Sequence, residues 1–284
     1  MFVRLLALVI LTCIEALPAA AGVLRVTEKA KLQEALDTAA YGDTVLVAPG
    51  TYSRIVMRSG IHLLAEKGPE ETLLTEASFW VIQGKAVDSL ATVEGFSIDG
   101  KRGAEGVVFA EESQFTLRNC VIRSGWAGIR ALYCDLRIEG CTIRDCTNGI
   151  YLFESGGLLT GNDIQLCHQA LDIVSSHPRM VRNSISRNGL GIRLEKHSDP
   201  EIGGSLATAN RIWNNAAGAL RNDSYEKRQS VRTWIPMTVK VPYNFWGSDC
   251  PDSSLFRGSV EWRPWVDESG TRSIEKCSAA AGKK

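Results

Sequence analysis

Between residues 94 and 196 the chain runs as short stretches in which apolar and polar residues alternate, each closed by Gly, Asn, Ser or Cys. Ile129-Arg130-Ala131-Leu132 and Leu136-Arg137-Ile138-Glu139 are two of them. Alternation with period two predicts half-buried strands rather than helices. The stretches also recur. Ile122, Ile143, Ile164 and Ile185 stand at successive steps of 21, and Ile129, Ile150, Leu171 and Ile192 keep the same step. Phe96-Ser97-Ile98 precedes the series, while Asn210-Arg211-Ile212 and Asn244-Phe245-Trp246 follow it after longer insertions. Each repeat holds three strand-like pieces and cannot bury its apolar side alone, so the repeats must stack. The pattern predicts an all-β fold, a single-stranded parallel β-helix with turns of about 21 residues and a rise near the inter-strand spacing of about 4.8 Å.

Two further columns run beside the isoleucines. One reads Phe96, Cys120, Cys141, Asn162, Asn183, Asn210 and Asn244; the other reads Gly125, Cys146, Cys167, Asn188 and Asn215. Asparagines in line can bond side chain to side chain along the axis and satisfy the backbone at a bend, so they are expected to be structural.

The ends differ from the middle. Over Glu28 to Ala40 the apolar residues Leu32, Ala35, Leu36 and Ala39 share one helical face, which predicts a helix capping the open first turn. Thr44 to Ala48 is expected as the first strand, with roughly nine turns in all. Trp246, Trp262 and Trp265 suggest an aromatic plug over 250–266. Residues 22–266 then form the β-helix domain and 267–284 a flexible tail. At the other end Arg4, an apolar run from Leu5 to Ile14, and small residues up to Ala21 read as a signal peptide over 1–21. Ten apolar residues are too few to span a bilayer core of about 30 Å. The expected location is therefore secreted or periplasmic, with no membrane span.

Composition adds constraints. Thirty-two basic and 32 acidic residues leave no net charge, which argues against nucleic acid or anionic lipid as the partner. Of the eight cysteines, the stacked pairs Cys120/Cys141 and Cys146/Cys167 suit buried thiols better than bridges, since their side chains point the same way. Cys250 and Cys277 flank the plug and are the expected disulfide in an exported protein. Cys134 is left single.

The run Leu32-Gln33-Glu34-Ala35-Leu36, then Gly42-Asp43-Thr44-Val45-Leu46-Val47 and Pro49-Gly50-Thr51-Tyr52, resembles the opening of right-handed parallel β-helix proteins of the pectin-lyase-like superfamily. The Gly-Ile and Asn-x-Ile repeats and the closing Asn244-Phe245-Trp246-Gly247-Ser248 are similar to that superfamily's later turns. The resemblance implies a right-handed solenoid over roughly residues 23 to 266. It leaves function open, since the superfamily holds lyases, hydrolases, epimerases, adhesins and accessory proteins. Signatures of its best-marked enzymes are missing. No Asn-Thr-Asp or Gly-His-Gly occurs, Gly191-Ile192-Arg193-Leu194 only faintly echoes an Arg-Ile-Lys motif, and His197-Ser198-Asp199-Pro200 is only superficially like an Asp-Pro-His run.

The outward residues after the Gly-Ile column offer a site. Arg130, Tyr151, Asp172 and Arg193 stack in one line, and Leu132, Phe153, Val174 and Glu195 in the next. Aromatic rings that pack on sugars, beside groups that bind hydroxyls or uronates, point to a polysaccharide as partner, with an acidic one expected. On this reading Tyr151, Asp172 and Arg193 are the catalytic candidates, and Arg130, Phe153 and Glu195 bind substrate. An Asp beside an Arg is expected to stay ionised. The opposing reading is a solvated sheet face on an accessory or structural protein. No cofactor is required by the sequence, yet a Ca or Cu ion has possible ligands: Asp172 with Glu195 and Glu154, or His177 with His197 and nearby Asp199.

Overall fold

In the computed structural model, residues 21–228 and 233–277 are described; the proposed signal peptide, apart from Ala21, lies outside them. The chain winds as a right-handed parallel β-helix. One face is a nine-stranded parallel sheet that begins with Val23–Val26, pairs it to Thr44–Val47, and ends at Glu201–Ile202. The first strand is thus Val23–Val26, not the one at Thr44. It is short and lies at the start of the described residues, so alternation alone did not reveal it. The other two faces merge into one 16-stranded sheet, because the long strands Ser97–Glu111 and Val121–Leu132 run through both.

Inside, the columns pair in register. Ile98, Ile122, Ile143, Ile164, Ile185 and Ile212 stack. Ile129, Ile150, Leu171, Ile192 and Leu220 do the same on the next face. All of these are buried. The solenoid has about 11 turns rather than nine, and beyond insertions that break the 21-residue step Val239–Lys240 and Val260–Glu261 pair in parallel as a separate two-stranded sheet.

Each corner is built alike. A residue with left-handed backbone is followed by a small or amide side chain turned inward. At one corner Ser124, Asp145, Leu166, Arg187 and Asn214 all lie at φ 53–63°, a region that a non-glycine residue enters at some cost in strain. The amides behind such turns hold the fold. Asn162 Nδ2 donates to Asn183 Oδ1 at 2.9 Å, Asn183 to Asn210 at 2.9 Å, and Asn210 to Asn244 at 3.0 Å. Asn188 donates to Asn215 at 3.0 Å. Each also satisfies backbone, as when Asn183 accepts from the Asn162 N–H and donates to Leu159 O. A third ladder, through Ser113, Cys134, Ser155, Ser176 and Ser198, escaped notice in the sequence, where serine reads as an ordinary turn residue. Within it Cys134 N donates to Ser155 Oγ and Ser155 N to Ser176 Oγ, both at 3.0 Å. The thiols of Cys120, Cys134, Cys141, Cys146 and Cys167 are free and buried in these columns. The contact with Cys146, then burial, hold the Cys167 thiol well above its ordinary pKa.

The ends are closed. Helix Leu32–Thr38 lays Leu32 and Leu36 over the first coil. At the far end Trp246, Phe256, Trp262 and Trp265 pack ring to ring, with centroids 4.8–5.1 Å apart. Cys250 and Cys277 are bonded, Cα to Cα 5.2 Å. Residues 267–277 are not a loose tail. Ser273–Ile274 pairs antiparallel with Trp265–Val266, and Asp267 accepts hydrogen bonds from Ser269, Thr271 and Arg272, because its buried carboxylate needs them. Residues 278–284 lie outside the described part. No described helix is long and apolar enough to cross a membrane.

Candidate functional site

The outward line predicted from the spacing is in register: Arg130 pairs with Tyr151, Tyr151 with Asp172, and Asp172 with Arg193. Phe109 precedes it and Arg221 follows. Beside it run Leu132, Phe153, Val174 and Glu195, continued by Asp223. All six residues singled out for catalysis or binding therefore share one outer face. Every residue of strand Gln169–Val174 is buried, so its coil forms the floor of the face, overlooked by the larger side chains of its neighbours.

The charges are arranged otherwise than expected. Arg193 does not pair with Asp172. It meets Glu195 Oε1 at 2.6 Å and Asp223 Oδ2 at 3.6 Å, while Arg221 meets Asp223 at 2.7 Å. Arg130 is held by Glu105 at 2.8 Å and lies over the rings of Phe109 and Trp126. Asp172, only 8% exposed, thus has no arginine in ion-pair contact. Burial, then the charge of Glu195, push its pKa up; Arg193 and Gln169 oppose this without overturning it. Burial and the charge of Asp172 likewise raise Tyr151, against the pull of Arg130. Three buried polar atoms on the line have no hydrogen-bond partner within the protein: Arg130 Nε, Asp172 Oδ1 and Arg193 Nε.

Trp126 is a site residue that the column reading missed. It is 41% exposed, and its ring lies 5.5 Å from that of Tyr151. A signal was present, in that a tryptophan sat at an outward corner position beside Gly125. Tyr133 stands edge-on to Phe153 at 5.6 Å, and Lys196 lies over the same Phe153 ring.

His177 and His197 line one groove with Glu154 and Ser175, and the His197 ring rests against Tyr225. Asp199 does not complete a ligand set with them, nor does Glu154 with Asp172 and Glu195. Among the described residues no three His, Cys, Asp or Glu side chains converge to hold a metal ion. Coils a fixed distance apart bring like positions together, and these residues hold unlike ones.

The sequence model described as "Right handed beta helix region" matches residues 81–228. No curated protein matches the chain. Among solved structures the chain is similar to a pectate lyase at 12% identity and a TM-score of 0.56, over 92% of this chain and 82% of that one. It is similar too to an alginate lyase from Paenibacillus sp. str. FPU-7, at 13% identity and a TM-score of 0.51, over 84% and 99%. At such identities the likeness is one of fold.

Proposed function

This chain belongs to the right-handed β-helix family, and we propose that it is an exported protein that binds a polysaccharide along the outer face bearing Arg130, Tyr151, Asp172 and Arg193. The observation that carries the reading is the coincidence of aromatic and unsatisfied polar groups on one outer face. Phe109, Trp126, Tyr151 and Phe153 present ring faces or edges on successive coils, beside the three unpartnered polar atoms. Sugars offer that pair of properties, apolar C–H faces and hydroxyls at the rim. A chain of pyranoses laid parallel to the axis also advances by about one ring per coil, since coils rise by about 4.8 Å. The two polysaccharide lyases of similar fold agree with this choice of partner.

Asp172 and Tyr151 are the groups placed to move a proton if a bound glycan is cleaved or epimerised. A carboxyl whose pKa is raised by burial is better matched to that work than an ordinary one. A screen of the mature protein against a polysaccharide panel tests the proposal, with products followed by ultraviolet absorbance and mass. Saturable binding that Tyr151→Ala abolishes is the expected result; shortened or unsaturated products would add an activity. Absence of binding to every polymer would sink the proposal.

A further inference from the structure

Resting on that reading, we infer that the face selects a neutral, hydroxyl-rich polysaccharide over a polyuronate, because its arginines are already held by carboxylates and its unpartnered buried atoms are a mixture of donors and acceptors. Sequence alone suggested the reverse, as two guanidinium groups in one line look like a trap for carboxylates.

The positive groups of the line and its continuation are Arg130, Arg193 and Arg221. Each has a carboxylate in ion-pair contact: Glu105, Glu195 with Asp223, and Asp223. Lys196, over the Phe153 ring, is a fourth cation, and Asp172 adds a fourth carboxyl with no ion-pair partner of its own. The face therefore carries no excess positive charge, and a polyanion approaching it meets Asp172 and Glu195 as readily as Arg193. Long-range attraction is absent, and the short-range charges cancel or repel.

The unpartnered atoms sharpen the choice. Arg130 Nε and Arg193 Nε are donors, the latter 3.6 Å from Asp223 Oδ2, which is itself without a hydrogen bond, and Asp172 Oδ1, lying between the two arginines along the line, accepts when ionised. A uronate carboxylate only accepts, so it can serve the two donors but leaves Asp172 facing a like charge. A hydroxyl both donates and accepts, so adjacent hydroxyls of one sugar can serve Asp172 and either arginine at once. A buried polar group left unsatisfied is penalised by more than a made hydrogen bond returns, which turns this match into discrimination. The aromatic border of Trp126, Tyr151 and Phe153 favours the same uncharged partner.

Calorimetric titration of the mature chain with neutral glucan, xylan, mannan and galactan, and with polygalacturonate and alginate, at low and high ionic strength, tests this. The expected result is binding to a neutral polymer that is insensitive to salt and weakened about tenfold or more by Asp172→Asn, with polyuronates weaker by a similar factor. Releasing the arginine with Glu195→Gln plus Asp223→Asn should shift preference toward polyuronate. Circular dichroism confirms that each variant is folded. Tighter, salt-sensitive binding of a polyuronate, still lost in Tyr151→Ala, would overturn the inference and leave the proposed binding face standing. No binding of either class would overturn both.

Discussion

At one corner of the coil Asn183 sits in a closed circle of partners: Asn162 above it, Asn210 below, and the Leu159 carbonyl alongside. On the outer face of the neighbouring strand column Asp172 is also buried by its surroundings and has an oxygen with no hydrogen-bond partner. Both are short polar side chains stacked by the same 21-residue step. The difference is what stands in the coils on either side. The corner amides repeat, so each finds its own kind one coil on. The outer line changes from Arg to Tyr to Asp to Arg, so no coil answers the next. A solenoid satisfies what it repeats; what it does not repeat is left for something outside the chain.

That contrast can be broken at either end. The largest effect is expected at the corner. Asn183→Ala would leave the Asn162 N–H, the Leu159 carbonyl and two neighbouring amides short of partners in a dry interior, lowering stability by about 3–5 kcal/mol in urea unfolding. The glycan affinity of the folded fraction should be unchanged. A loss below about 1 kcal/mol would mean that the ladder is decoration.

Asp172→Asn should act in the opposite sense, weakening glycan binding by about tenfold while raising the melting temperature at neutral pH. The sign follows from the raised pKa. As pH rises, the unfolded chain loses this proton first, so stability falls through the interval up to the folded value and stays reduced above it. The Asn variant lacks that fall. A variant melting below the parent at pH 7 and above it in acid would reverse the argument.

Smaller again is Trp126→Ala, expected to weaken glycan binding by about 0.5–1 kcal/mol with little change in melting, since the ring is 41% exposed. The smallest change serves as a control on the far face. Arg137 pairs with Glu139 on the nine-stranded sheet with its side chain 53% exposed, so Arg137→Ala should alter stability by about 0.5 kcal/mol or less. It should not touch glycan affinity; if it does, the binding face has been misplaced.

How much of this was legible depended on repetition as well. The isoleucine, cysteine and asparagine columns declared themselves because each recurs at one spacing, and they carried the fold and the face with them. The serine ladder did not, since Cys134 interrupts it and serine is at home in any turn. The coil count ran short where insertions near 203–210 and 214–238 break the step. At the site the line itself was readable, but its electrostatics were not. Glu105 comes from the far end of a local expansion within Ser97–Glu111, and Asp223 from beyond an insertion. No spacing rule ties either to Arg130 or Arg193, so the arginines looked free when they are not.

The corner ladders also have a direction. In all three, a backbone N–H of one coil donates to a side chain of the coil that follows it in sequence: Cys141 to Asn162, Asn210 to Asn244, Cys167 to Asn188, Ser155 to Ser176. Every corner is thus finished by residues synthesised after it. A chain emerging from its amino terminus is always one coil short of complete, until Asn244 turns its amide onto the carbonyls of Ile202, Val241 and Pro242. Shortening the protein from its carboxyl end strips both the N–H and the side-chain amide of the newly exposed Asn corner of their acceptor. Trimming coils from the other end takes from the next Asn a carbonyl acceptor and one N–H donor, as Ile138 and Cys141 are to Asn162, but leaves its own N–H and amide the acceptor on Asn183. The two ends of the solenoid are therefore unequal as places to cut, extend or fuse it.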